Sequence, residues 1–111
     1  MFNKDYYILL SILDTVQKIL KFSAGYKNAE DFYDNDRDFD ATMMNFIILG
    51  ETVDKLSEEL KSGNGHINWS KIYGLRNIIA HKYFGINVDL VWQIIENDIP
   101  VLKSQIDNLI E

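Results

Sequence analysis

Apolar residues recur along most of this chain at intervals of three and four, the spacing that gathers them on one face of an α-helix. In the first segment Leu9, Leu13, Val16 and Leu20 form such a stripe, widened by Ile8, Ile12 and Ile19, so this helix is expected to be buried over much of its surface. Asn3 stands where a cap would start it and Gly25 where a stop would end it. A polar connection follows, "YKNAEDFYDNDRD", with room for one short helical turn after Asn28. A second long helix is expected from about Asp36 to Lys61, with Phe39, Met43, Phe46, Gly50, Val53 and Leu60 on its inner face. A glycine in mid-helix costs about 1 kcal/mol against alanine, and close approach of another helix is the expected reason for Gly50.

The stretch "SGNGHIN" interrupts the pattern. Asn68 can cap a third helix that begins at Trp69 and ends before Gly85. Asn87 can cap a fourth, with Val88, Val91, Trp92, Ile95, Ile99, Leu102, Ile106 and Leu109 as its stripe and Pro100 expected to kink or break it. No alternating strand pattern of useful length appears, and there is no internal repeat. The expected fold class is all-α: a single domain, residues 1–111, built as an antiparallel bundle of about four main helices.

Composition narrows the function. With 47% apolar residues in 111, the chain has enough material for a core and is not expected to be disordered. It has no cysteine, hence no disulfide framework and no thiolate metal site. The start, "MFNKDYYILL", lacks the basic region and cleavage site of a signal peptide. No apolar run approaches the roughly 20 residues that span a bilayer. A cytoplasmic protein with no membrane partner is expected.

The net charge of −6 argues against a general nucleic-acid binder, because phosphate affinity rests on Lys and Arg. The charge is uneven, however. Residues 30–40, "EDFYDNDRDFD", hold six acids and one arginine, read here as a capped, solvated helix start rather than a metal site. Residues 60–88 hold no acid, while Lys61, Lys71, Arg76, Lys82 and both histidines lie there. That segment is a candidate anion site in a chain kept soluble by negative charge elsewhere.

Within it, "RNIIAHKYF" concentrates the candidate chemistry. Arg76 and Tyr83 are seven apart and share a helix face; Asn77 and His81 are four apart and share another. Arg76 and His81 are five apart, about 140° around the axis. RNA cleavage by its own 2′-hydroxyl needs a base, an acid and positive charge on the phosphorane oxygens. Histidine, with an unperturbed pKa of about 6.5, can move the protons; arginine supplies fixed charge in a fork that matches phosphate. Asn77 can hold the imidazole tautomer or a phosphate oxygen, and Lys71 and Lys82 are candidate phosphate contacts. His66, in the glycine-rich loop, is read as a loop residue. No metal or cofactor is called for. By spacing alone the set is also what ordinary helix residues would give.

The run "WSKIYGLRNIIAHKYFGINVDLVWQIIENDIPVL" closely resembles the HepT family of toxins in the HEPN superfamily of helical ribonucleases. The likeness includes Arg-x4-His-x-Tyr, Trp69, Asn77, "YFG", Trp92 and "NDIP", with "LGETVDKLSEEL" similar to the family's Gly-Glu-containing second helix; it spans roughly residues 36–110. The resemblance implies a helical bundle that dimerises so that two motifs face one cleft, and that cleaves RNA without metal. It implies Arg76 and His81 as the catalytic pair, with Asn77 beside them. It further implies a cognate MntA-type nucleotidyltransferase antitoxin that attaches AMP to Tyr83 and silences the nuclease. The acidic overall charge favours a selective RNA such as tRNA. The alternative is a non-catalytic helical module that binds a nucleotide or pairs with a nucleotidyltransferase, with Arg76 and His81 only holding a phosphate.

Overall fold

The computed structural model describes residues 3–111. The first helix, α1, spans Asn3–Ser23; the side chain of Asn3, and with it the expected cap, lies outside the described residues. Leu9, Ile12, Val16 and Ile19 are fully buried, while Leu13 and Leu20 pack at the margin. The centre of the apolar face therefore falls on the isoleucine side of the expected stripe. The short helix α2, Ala29–Asp34, follows, with the Asn28 side chain accepting from the Asp31 amide.

The third helix departs from expectation. Instead of running to Lys61 it ends earlier: α3 spans Asp36–Asp54, and a separate short helix, α4, covers Glu58–Gly63. Ser57 restarts the chain, its hydroxyl oxygen accepting from the Leu60 amide at 3.1 Å. The break is pinned from outside. Asp5 of α1, only 3% exposed, accepts from the Ser57 amide at 3.0 Å and from its hydroxyl at 2.6 Å. Those two hydrogen bonds hold the Asp5 carboxyl below its usual pKa, the hydroxyl contributing most.

The α5 helix spans Trp69–Lys82 behind an Asn68 cap, and one 3₁₀ turn, Tyr83–Gly85, completes it. Asn87 caps α6, Val88–Gln93. The expected break at Pro100 takes the form of a π-helical turn, Ile94–Asp98, leading into α7, Ile99–Ile110. Proline lacks an N–H, and its ring collides with the carbonyl four residues earlier in a regular helix. The wider turn, in which the Ile99 amide bonds to the Ile94 carbonyl, absorbs that collision without ending the helix.

Helix α3 is the hub, with α1 along one side and α5 along the other, and α7 against α1. Gly50 meets Arg76 and Phe39 meets Tyr83, so α3 and α5 run antiparallel. The core joins Phe32, Phe39, Met43, Phe46, Leu49, Ile99 and Ile106 to the α1 face. Among the described residues there is no strand, and no helix is long and apolar enough to cross a membrane.

Candidate active site

The close seam between α3 and α5 is set by Gly50. A Cβ there would lie 2.6 Å from the Arg76 Cβ and 3.1 Å from the Tyr73 carbonyl oxygen. Any side chain at Gly50 would push α5 away, which is the expected reason for the helix-weakening glycine. The next residue, Glu51, reaches across the seam, and Arg76 Nε lies 2.5 Å from its Oε1. Arg76 Nη1 also donates to the Tyr73 hydroxyl at 2.9 Å, with the guanidinium carbon 5.6 Å from that ring's centre. Arg76 is thus half-buried and oriented by three groups on two helices.

At the other end of the seam the Tyr83 hydroxyl donates to Asp40 Oδ1. Its ring packs against Phe39, one residue before that carboxylate, and edge-on against the fully exposed Phe84. The hydrogen bond to Asp40 is the main cause, followed by burial, that pushes the Tyr83 phenol up to about 12. Asp40 and Glu51 are eleven apart on α3, three helical turns, so they share a face, as do Arg76 and Tyr83 on α5. Between the two polar contacts α3 presents Met44 and Ile48 to solvent, 56% and 41% exposed.

His81 and Asn77 lie on the outer surface of α5, both exposed. No hydrogen bond joins Arg76 to His81 among the described residues: the arginine is turned toward α3, while His81 is exposed. The stripe carrying Asn77 and His81 also includes Gly74, where an added Cβ would meet nothing within 4 Å. Lys82 lies beside a 330 Å³ groove lined by Leu75, Ile78, Ile86 and Leu90. Lys71 is about 15 Å along the axis from His81 and pairs with Asp98 at 3.3 Å. His66 lines a 240 Å³ cavity with Lys71, Leu49 and Leu75.

The acid-free segment is therefore not acid-free in space. Glu51, Asp40 and Asp98, from distant positions in the chain, face Arg76, Tyr83 and Lys71 respectively. Asp40 does not stand out locally as a site residue, and Glu51 does so only as part of the Gly-Glu helix. The signal that links them to α5 is the match of helical repeats on two antiparallel helices. No group of three or more His, Asp or Glu is arranged to hold a metal ion among the described residues.

Comparison with known proteins bears on what this arrangement does. The family model "Ribonuclease HepT-like" matches residues 12–109. The chain is 32% identical over 110 residues to a "Gamma-glutamylcyclotransferase and putative RNase" of Methanocaldococcus jannaschii, covering 98% of this chain but 49% of that protein. It thus spans about half the length of that relative. It is 29% identical over 99 residues to a "Putative RNase" of the same organism, covering 89% of this chain and 90% of the relative. To a "Probable ribonuclease HepT" of Thermococcus cleftensis it is 28% identical, covering 96% and 94%. No solved structure gives a significant match.

Proposed function

The chain belongs to the HepT-like ribonuclease family, and from that premise we propose that it is the toxin of a toxin–antitoxin pair, a cytoplasmic, metal-independent endoribonuclease acting as a twofold dimer. The observation that carries this reading is the division of labour on α5. Arg76 is held in one place by Glu51 and Tyr73, while His81 and Asn77 are presented outward on the adjoining face. A fixed cation and an unencumbered imidazole are what cleavage by an internal hydroxyl uses.

In this reading His81 takes the proton of the RNA 2′-hydroxyl as that oxygen attacks the adjacent phosphorus. Arg76 balances the charge that grows on the phosphorane oxygens. The 5′-oxygen leaves with a proton from an acid, and a 2′,3′-cyclic phosphate remains. Asn77, one turn from His81, fixes the imidazole or a phosphate oxygen. One histidine is a thin set for two proton transfers, and Arg76 and His81 diverge by about 140° on one helix. A second copy related by a twofold axis supplies the missing group and closes a cleft over Tyr73, Asn77 and Ala80. The exposed Met44 and Ile48 beside that line give such a contact apolar surface to cover.

Lys82 is the nearest lysine for an RNA phosphate, with Lys71 farther out and shared with Asp98. With cations so paired and a net charge of −6, the substrate is a selective one such as tRNA rather than RNA at large. Control comes through Tyr83, to which a partner nucleotidyltransferase using ATP and Mg²⁺ attaches AMP. The added phosphate would compete for Arg76 or Lys82 and shut the cleft by charge and bulk.

The test is expression of wild type against His81→Ala in cells, followed by sequencing of RNA ends. Wild type should arrest growth and leave 2′,3′-cyclic phosphate ends, and cleavage in vitro should persist in EDTA. Products with 3′-hydroxyls, or loss of cleavage in EDTA, would contradict the mechanism. The engagement of Arg76 by Glu51 favours, as a second reading, a module that binds a phosphate without cutting; full toxicity of His81→Ala would select it.

A further inference from the structure

Two tyrosines of this chain donate to aspartates of α3, and they are not equivalent. Tyr26 bonds Asp38 at 2.5 Å, and Asp38 also accepts from Arg37 at 3.3 Å. Tyr26 lies half-buried against Phe32, so this pair ties the α1–α2 connection to α3. Tyr83 bonds Asp40 at the open rim, on the last turn of α5. Asp40 is exposed and has no ion-pair partner among the described residues, because the neighbouring Arg37 is spent on Asp38. The packing of the Tyr83 ring on Phe39 and Phe84 fixes its plane, and the carboxylate on the following residue fixes its O–H direction.

From this geometry we infer that Asp40 is the proton acceptor for nucleotidyl transfer to Tyr83, so that the target chain brings its own base to its modification. The inference rests on the proposal above that Tyr83 is the residue modified. A phenol hydrogen-bonded to a carboxylate, with Asp36 and Tyr33 adding negative field, holds its proton up to about 12. It is therefore neutral and weakly nucleophilic near neutral pH, and a positioned acceptor has to remove the proton as the bond forms. Asp40 is already in hydrogen-bond contact with the proton to be moved. Because the O–H points at α3, the lone pairs of the phenolic oxygen face outward, where a second enzyme approaches.

The step balances with ATP as co-reactant. The Tyr83 Oη attacks the α-phosphorus, and the Oη–Pα bond forms as the bond from Pα to the bridging oxygen of the β-phosphate breaks. Pyrophosphate leaves with that electron pair, and the phenolic proton passes to Asp40 Oδ1 and then to water. The product oxygen has no proton left to donate. The Asp40 carboxylate then faces a phosphodiester anion, so modification also removes the tie between the end of α5 and α3.

The experiment is single-turnover transfer from Mg²⁺-ATP to the full chain by its cognate nucleotidyltransferase at saturating concentration, followed by intact mass. Wild type is compared with Asp40→Asn, Asp40→Glu and Tyr83→Phe, with folding checked by circular dichroism and complex formation by light scattering. Asp40→Asn should bind the transferase normally, keep its ribonuclease activity and lose the modification rate by about 10²–10⁴-fold, with Asp40→Glu recovering part of it. Modification of Asp40→Asn within about threefold of wild type would overturn the inference, since a lost general base costs far more. So would failure of Asp40→Asn to bind the transferase, which would make Asp40 a docking residue. If wild type gains no AMP, or Tyr83→Phe gains as much, the reading of Tyr83 itself fails, and the inference with it.

Discussion

The two ends of the α3–α5 seam are built from the same idea, a carboxylate of α3 reaching a candidate site residue of α5, yet they are held in different ways. At the Gly50 end the helices touch backbone to backbone, and the Glu51–Arg76 pair sits on top of that contact with Tyr73 behind it. At the Asp40 end the regular α-helix of α5 has given way to a 3₁₀ turn, and one hydrogen bond plus exposed ring contacts hold Tyr83. Close packing fixes where the arginine side chain leaves α5, and Glu51 and Tyr73 hold its guanidinium there. A hydroxyl held by one exposed acceptor is released when that bond is lost. The first end suits a group that must be in place before a transition state forms; the second suits a group that is switched.

That contrast is broken most directly by removing one end at a time. Arg76→Ala and His81→Ala should each lower RNA cleavage by about 10²–10⁴-fold with the fold retained. Tyr83→Phe should cleave as wild type does, and should resist silencing by the nucleotidyltransferase. Rates on a defined RNA, with circular dichroism as the folding check, separate these outcomes. Loss of cleavage in Tyr83→Phe equal to that in Arg76→Ala would show that the two ends form one catalytic unit, and the contrast would fall.

The packing half of the contrast has its own test in two glycines on facing helices. Gly50→Ala places a methyl 2.6 Å from the Arg76 Cβ and should destabilise by about 1–3 kcal/mol through overpacking, more than offsetting the roughly 1 kcal/mol that alanine adds in mid-helix. Gly74→Ala, with nothing within 4 Å, should gain about that 1 kcal/mol. Urea unfolding measures both. A Gly74→Ala protein that is instead destabilised, or dissociates, would place a second copy against that stripe. Glu51→Ala should change stability by less than about 1 kcal/mol, since the pair is half exposed. It should still lower kcat about tenfold or more by freeing Arg76 from its working position; unchanged kcat would make the ion pair incidental.

How much of this could be read from the chain follows the range of the interactions. The Asn28, Asn68 and Asn87 caps, the extent of α5 and the disturbance at Pro100 are local chemistry, and each is where the residue types place it. Gly50 was readable as a close approach because a glycine inside a long apolar stripe has few other reasons. The end of α3 at Asp54 was not, because periodicity continues through Leu60. What pins the restart at Ser57 is a hydrogen bond donated by its amide to a carboxylate 52 positions earlier. Likewise the acidic run is a helix start, as its composition suggests, yet Asp40 holds a tyrosine 43 positions further along the chain, on the facing helix. Register between antiparallel helices decides that partner, and no single-helix pattern contains it. The family resemblance singled out Arg76, His81 and Tyr83 and included Glu51 in its Gly-Glu helix, but gave Glu51 no partner and did not point to Asp40.

The smallest expected effect tests the releasable end most specifically. An alkaline absorbance titration of wild type minus Tyr83→Phe isolates one phenol, since Tyr26 is also raised by its own aspartate and cancels in the difference. That phenol should titrate near 12, and in Asp40→Asn its pKa should fall back toward 10. The sign of the stability effect follows. The folded-state pKa lies above the unfolded one, so the contribution of the Tyr83–Asp40 bond is fully present below pH 10 and is lost as pH rises through about 12. At neutral pH Tyr83→Phe should cost about 0.5 kcal/mol, the low end for a hydrogen bond, because both partners are exposed. The wild-type advantage over Tyr83→Phe should therefore shrink through that alkaline window, while Arg76→Ala shows no such convergence there. A Tyr83 phenol that titrates at its ordinary value would mean that Asp40 does not hold it in solution. The end proposed for modification would then be open without any partner rather than released by one.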